Sequence, residues 1–331
     1  MHGGAAVLCP VFGWHLLLTM PHMFRCYGHT LEVKKSMRQL TIVVGGATGF
    51  VGSQLVAHLS AHYPHVQVRA LTRTPESDTA RHFAALPGVT VIRGNYGDVQ
   101  SLEAAAEGAD RAYMACNNVA EQRRFECNFI DACKLQGVRR IAKISTFRSF
   151  CRANGPGHGA AHYHIEQHLH QSGVSHVILH PAYYFQSLLY FTYPIKTAGI
   201  LPQLLGDMQL NMVDCRDVAQ CAAALLTCNE ETFAPFHGQH VEIAGPEKLG
   251  GEDWAAALRH AGIAVQYEKV TPDAFKQGLL SVGVPEDMAP ISPPFTRASM
   301  MVRHKLRIMP PPLAWRASQA CQHIGVGSKR S

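Results

Sequence analysis

Charge is sparse in this chain. Only 16% of its 331 residues are charged, against 47% hydrophobic, a balance that excludes a self-repelling, unfolded polymer. No run reaches the roughly 18 uncharged apolar residues needed to cross a bilayer, and no internal repeat is present. Integral membrane, coiled-coil, collagen-like and low-complexity classes therefore fall away. Ten cysteines are present but none forms a Cys-x-x-Cys pair, and Cys116, Cys133, Cys221 and Cys228 sit inside apolar stretches. Such spacing reads as small buried hydrophobes in a reducing, cytoplasmic compartment, and not as a disulfide framework or a structural zinc.

A basic patch on the folded body is lacking too. The net charge is +6, yet residues 1–40 carry four cations against Glu32, and residues 288–331 carry seven cations and no acid. The body between them is left at −4. A phosphate-tracking stripe belongs on the folded module, so nucleic acid is excluded as a partner, as is a membrane. Residues 7–20 are apolar, but no Lys or Arg precedes them as a secretory signal requires. The basic stretch up to Arg38 reads either as a mitochondrial leader or as an extension foreign to the fold, with Met37 just before the first strand. Residues 1–38 are set aside as an N-terminal extension, and residues 291–331 as a basic, Pro-rich C-terminal segment.

From Leu40 the chain alternates. Leu40–Val44 is a short apolar run rich in β-branched residues, as a strand buried on both faces should be. Phe50, Val51, Leu55, Val56 and Leu59 then recur at helical spacing. Further strands are predicted at Val66–Leu71, Val89–Arg93, Arg111–Cys116 and Arg139–Ile144, with helices near 76–86, 99–107 and 119–136. Alternation of this kind implies βαβ crossovers and a doubly wound parallel α/β sheet of Rossmann type. The expected dinucleotide-binding domain spans 39–180. A smaller substrate lobe spans 181–290, built from elements near 217–228, 239–244, 252–262 and 265–283.

The first turn carries the main chemical signal. Gly46-Ala-Thr-Gly49-Phe-Val-Gly52 follows a strand and opens a helix. Gly46 permits the tight turn, Gly49 lets backbone approach a pyrophosphate, and Gly52 allows close helix packing. Thr48, Phe50 and Val51 complete the cradle at the positive helix end.

Ala at position 47 departs from the G-x-G-x-x-G form, and G-x-x-G-x-x-G with Ala-Thr inside resembles the short-chain dehydrogenase superfamily. Three further stretches are similar to NmrA-like proteins: Val91–Asp98 with Glu107–Asp110, His162–Leu169 with Leu179–Pro181, and Val213–Ala219. The resemblance covers about residues 40–285. It implies adenine contacts from Asn95 and Tyr96, with Cys116 in the cofactor set. The choice of cofactor has a physical argument. No acid follows the second strand before Glu76, whereas Arg73 stands where a 2′-phosphate would lie, so NADP(H) is expected.

The usual proton donor is missing. None of the ten tyrosines is followed four residues later by Lys. Alignment with relatives puts His158 at the Tyr position and His162 at the Lys position. His162 is the candidate donor, acting as an imidazolium whose rate would fall on the alkaline side. Tyr163 is the second candidate, and Ser145 and Thr146 would orient a carbonyl. His164 and His168 share a helix face, but no third ligand stands out, so no metal site is read. Tyr183–Phe191 is a dense aromatic stretch, either core or the wall of an apolar pocket. Two functions follow. One is an NAD(P)H-dependent oxidoreductase for a small apolar carbonyl, enone, imine or quinone, with secondary metabolism as one setting. The other is a non-catalytic NADP sensor acting through a protein partner.

Overall fold

The last three residues of Leu40–Val44 are buried and the whole run is extended, forming β1. The computed structural model describes residues 39–281 apart from 157, 204 and 205. The expected terminal segments, 1–38 and 291–331, lie outside the described residues. After β1 come α1 (Phe50–His62), β2 (Val66–Thr72), α2 (Asp78–Ala84), β3 (Val89–Arg93), α3 (Val99–Ala106), β4 (Arg111–Met114) and α4 (Gln122–Leu135). They are followed by β5 (Arg140–Ile144), α5 (Gly159–Ser172) and β6 (Ser175–Pro181). These strands match the sequence-based expectation closely. Helix α2 starts at 78 because Ser77 caps it, its hydroxyl accepting from the Ala80 amide at 3.3 Å.

Beyond β6 lie β7 (Tyr183–Tyr184), a 3-10 turn at Phe185–Phe191, α6 (Thr192–Ala198), β8 (Ile200–Gln203), β9 (Leu210–Val213) and α7 (Cys215–Thr227). Then come α8 (Glu230–Phe233), β10 (His240–Ile243), β11 (Lys248–Leu249), α9 (Gly251–His260), β12 (Gln266–Lys269) and α10 (Pro272–Ser281). The stretch near 265–283 thus holds a strand and a helix. Pro272 opens the helix behind Thr271, whose hydroxyl accepts from the Ala274 amide at 3.2 Å.

Seven strands form one sheet in the order β10-β6-β5-β4-β1-β2-β3, and every pairing in it is parallel. Two elements expected in the small lobe belong to this sheet layer instead. β10 pairs with β6 as the edge strand. Helix α7 packs on α1, because Val218, Ala219, Ala222, Ala223 and Leu226 form one buried apolar face. The small lobe is left with β7, β9 and β11 in one sheet and β8 and β12 in another. Its own core is Phe191, Leu201, Met212, Trp254 and Val265.

Successive residues of the large sheet feed opposite layers. Ile42 and Val44 face α1 and α7, while Val43 faces the layer of α3, α4 and α5. The strand order reverses between β1 and β4, so the crevice at their carboxyl ends is the topological switch point where ligands bind. One cation ties the layers. Arg140 is fully buried, donating to the carbonyls of Leu225 at 2.7 Å and Cys228 at 3.0 Å. It also pairs with Glu230 at 2.8 Å and covers the Phe233 ring at 3.8 Å. Arg140→Ala leaves the Leu225 carbonyl without its donor, while Arg111 still reaches the Cys228 carbonyl and Glu230. It should lower unfolding free energy by about 1.5–3 kcal/mol, the worth of a hydrogen bond to a charged group. Urea denaturation checks this, and a loss below about 1 kcal/mol would show that the contacts do not hold α7 to the sheet.

Candidate functional site

The glycine turn closes by contact. Gly46 has a φ of +72°, a region that disfavours any side chain, and a Cβ there would stand 2.4 Å from the Ala115 carbonyl oxygen. A Cβ on Gly52 would meet the Gly46 carbonyl oxygen at 2.2 Å. Gly49 differs. Its backbone is extended, with φ −78° and ψ 173°, and a Cβ would find only the Gly46 oxygen at 3.3 Å. Gly46 and Gly52 are therefore required by the turn itself, while Gly49 is not. Thr48 and Gly49 are exposed and Val51 is buried.

Helix α1 begins at Phe50 with no side-chain cap and no acid in its first turn. The first N–H groups of a helix have no intrahelical acceptor, so this end offers donors and a positive dipole to the crevice. Gly45, which lies just outside the G-x-x-G-x-x-G pattern, also matters. A Cβ there would collide with the Tyr96 hydroxyl at 2.2 Å. Tyr96 lies on Phe129 with ring centroids 5.2 Å apart and donates to the Ala115 carbonyl at 3.1 Å. It thus buttresses the turn from within. Asn95 accepts from the Gly97 amide at 2.9 Å and shapes its own loop.

Arg73 is exposed at the end of β2, and its guanidinium takes no hydrogen bond or ion pair among the described residues. The neighbouring Arg93 is held by Glu76 and by the Arg73 carbonyl. Glu76 is thus already engaged by a cation and leaves Arg73 available. Cys116, half-buried after β4, has its thiol pushed up to about 12 by burial and by Glu126, with Arg73 and Lys143 opposing. It lies in the fields of both the Arg73 end and a buried polar cluster.

That cluster surrounds His162, which is 4% exposed. Lys143 Nζ stands 3.0 Å from His162 Nδ1, 3.2 Å from Glu126 Oε2 and 2.8 Å from the Ile144 carbonyl. Its three protons thus have three acceptors. His162 Nε2 faces the Gln122 amide at 3.1 Å, and that amide also meets Glu126 Oε1 at 3.0 Å. Burial first, then Lys143, His180 and His158, holds the His162 imidazole well below its usual range. This corrects the imidazolium expectation, because a neutral imidazole stands here at physiological pH. Burial also raises the Glu126 carboxyl.

Ser145, at the end of β5, donates to Glu166 and lies 3.4 Å from Cys151 Sγ. Tyr163 sits on the half-buried side of α5, edge-on to His164 at 5.3 Å. Lys143, Glu126 and Gln122 around His162, and Glu166 beside Ser145, were not singled out from the sequence. Lys143 had a signal, being a lone cation near the end of an otherwise apolar stretch, Ile141–Ile144; the others lie among helical polar residues and have none. His168 pairs with Asp131 at 2.7 Å.

The aromatic stretch stands beside the turn. Phe50 and Tyr190 have ring centroids 5.7 Å apart. Tyr183 stacks on Trp254 at 5.9 Å, and Gln186 holds Asp214, the N-cap of α7, at 3.0 Å. Tyr190, Leu189 and Tyr193 are more than 60% exposed. The stretch is therefore part core and part exposed surface, divided residue by residue.

The model of the NmrA-like family matches residues 38–296. The chain is 29% identical over 250 residues to an NAD(P)H azoreductase of Xenophilus azovorans, covering 75% of this chain and 83% of that protein. It is 30% identical over 241 residues to the (4-alkanoyl-5-oxo-2,5-dihydrofuran-3-yl)methyl phosphate reductase of Streptomyces griseus, covering 72% and 80%. Among solved structures, an NADPH-dependent quinone oxidoreductase of Escherichia coli in complex with NADPH superposes with a TM-score of 0.64 at 27% identity. That superposition covers 75% of this chain and 85% of the other.

The glycines make separable predictions. Gly49→Val should give a folded protein of near-normal thermal stability that no longer binds a dinucleotide. Gly46→Ala should lose stability outright, because it combines a positive φ with a backbone collision. Thermal melts with and without NADP(H) check both. Normal NADP(H) binding by folded Gly49→Val would move the phosphate site elsewhere.

Proposed function

The chain belongs to the NmrA-like family and is an NADP(H)-dependent oxidoreductase, and from that premise we propose that it reduces a small, conjugated, largely apolar acceptor: a quinone, enone, imine or related carbonyl compound. The observation that carries this reading is the contact of Phe50 with Tyr190. It sets an apolar, partly exposed aromatic wall directly beside the phosphate-binding turn. The names of the relatives, an azoreductase and a quinone oxidoreductase among them, support it. They do not favour the non-catalytic sensor.

The residues present fit the cofactor, since the turn offers helix N–H donors, no acid, and a glycine whose missing side chain leaves the approach open. Gly46, Thr48, Gly49, Phe50, Val51 and Gly52 would hold the diphosphate. Arg73 would meet the 2′-phosphate in a forked geometry. Cys116, Asn95 and Tyr96 would border the adenosine and nicotinamide halves. When bound, NADPH supplies a hydride. The aromatic wall orients the acceptor against that face and excludes water. Ser145 and Thr146, just after β5, would orient its oxygen, Ser145 once its hydroxyl turns from Glu166. His162 serves as a neutral group fixed by Lys143 at Nδ1, and the proton that completes reduction comes from Tyr163 or from solvent.

The atypical short-chain dehydrogenase fold, a substrate lobe after residue 181 and a cytoplasmic location belong to the same reading. The described cysteines are free thiols, in keeping with a reducing compartment. No helix among the described residues is long and apolar enough to cross a membrane.

Two measurements test the reading. Loss of one charge-assisted contact costs on the order of 1.5–3 kcal/mol. Arg73→Ala should therefore weaken NADPH roughly tenfold or more and leave NADH nearly unchanged, as read by fluorescence titration. Equal losses for both cofactors would remove Arg73 from the 2′-phosphate. Secondly, because His162 is already neutral, kcat with a quinone should stay level through neutral pH. An alkaline fall centred near the ordinary imidazole value of about 6.5 that disappears in His162→Asn would restore the imidazolium donor.

A further inference from the structure

Four side chains that the dinucleotide site does not use converge between β6, β10 and α5. Cys151 Sγ lies 3.3 Å from Glu166 Oε1, and His180 Nε2 lies 3.7 Å from the same oxygen. These three donor atoms all fall within 4.8 Å of one another. His240 Nδ1 is 2.9 Å from His180 Nε2 and 3.9 Å from Glu166 Oε2. Glu166 and His180 are essentially inaccessible, at 1% and 2% exposure.

The spacing suits a small cation. With metal–donor distances of about 2.0–2.3 Å, the corners of a tetrahedron stand roughly 3.3–3.7 Å apart. The donor set of thiolate, carboxylate and imidazole matches zinc. The hydrogen bonds supply an independent observation. His180 Nδ1 lies 2.6 Å from the Thr146 carbonyl oxygen, which can only accept, so the ring proton sits there and Nε2 presents a lone pair. Arg148 contacts His240 Nδ1, and a guanidinium can only donate, so this nitrogen presents a lone pair as well. His180 Nε2 thus presents its lone pair to the buried Glu166 carboxylate at 3.7 Å, an approach of two acceptors that a cation between them would reconcile. The Thr146 carbonyl is also the kind of outer partner that orients a metal-binding histidine.

We propose that Cys151, Glu166 and His180 bind a zinc ion, with His240 as fourth ligand once it leaves Arg148. Cys151 binds as the thiolate and its proton passes to solvent. The site lies apart from the dinucleotide turn but abuts Ser145, whose hydroxyl donates to Glu166 and lies 3.4 Å from Cys151 Sγ. Its ligands come from the β5–α5 connection, α5, β6 and β10, a dispersal that no sequence spacing reveals.

The test uses the full-length, untagged protein after chelator treatment, with Co²⁺ and Zn²⁺ as probes. Co²⁺ should bind one per chain, giving tetrahedral visible bands and a thiolate charge-transfer band that Zn²⁺ abolishes. Cys151→Ser should lose the charge-transfer band. It should also weaken Zn²⁺ by at least about 100-fold, the upper end of what losing even an outer partner costs. Should that variant fail to fold, the wild type still decides, because Zn²⁺ must block alkylation of Cys151 in peptide mapping. Three results would overturn the site: substoichiometric binding, a cobalt spectrum without a thiolate band, or alkylation of Cys151 unaffected by Zn²⁺. Binding undiminished in folded Cys151→Ser would equally overturn it and assign the metal to surface histidines such as His164 and His168.

Discussion

A Cβ on Gly52 would stand 2.2 Å from the carbonyl oxygen of Gly46, so α1 can begin where it does only because its third residue is glycine. That contact fixes the helix start against the end of β1 and aims its free N–H groups into the crevice between β1 and β4. The remaining arrangement answers to it. Val51, Leu55, Val56 and Leu59 then fall on the buried face of α1 and pack toward the layer shared with α7. Tyr96 fills the space that Gly45 leaves, and its hydroxyl caps the Ala115 carbonyl that Gly46 also approaches. The three glycines and one tyrosine act as a single joint.

The buried cations follow a different rule. Arg111, Arg140 and Lys143 lie on adjacent parallel strands and are all buried. Such cations are retained only where acceptors surround them, since desolvation otherwise outweighs the attraction. Arg111 and Arg140 meet this condition with carbonyls at the end of α7 and with Glu230, which is a structural use. Lys143 meets it with Glu126 and His162, which are buried with it. Two cations on one strand, three positions apart, are therefore satisfied by different neighbours, Arg140 by the end of α7 and Lys143 by side chains of α4 and α5.

Much of this was legible in the sequence, and for identifiable reasons. The strands of the large sheet are continuous apolar runs because both faces are covered, and the turn between β1 and α1 is spelled out in glycines at fixed offsets. Arg73 could be found because strand end and charge suffice to place it. What stayed hidden depends on long-range pairing. β10 reads like any short strand, and nothing local says that it joins β6 and not the small lobe. His162 was found by its position on the helix, but its ionisation was misread, because burial against Lys143 comes from a strand nineteen residues away. The Cys151, Glu166 and His180 cluster joins three elements and likewise has no local trace.

The missing Tyr–Lys pair narrows the chemistry beyond what the fold does. A positioned acid contributes typically 10²–10⁴ in rate, and an imidazole held neutral by burial cannot replace a tyrosine whose proton a lysine has loosened. An isolated ketone or aldehyde places a full charge on one oxygen as hydride arrives, and needs that acid. A quinone, an enone or an azo bond spreads the same charge over a conjugated frame, so the anion forms without help and takes its proton afterwards from water. An apolar aromatic wall holds such flat acceptors well and offers little to a small polar carbonyl. On the proposed function, the buried, neutral His162 and the exposed ring of Tyr190 are two sides of one specificity, in which the acceptor stabilises the charge that the protein does not.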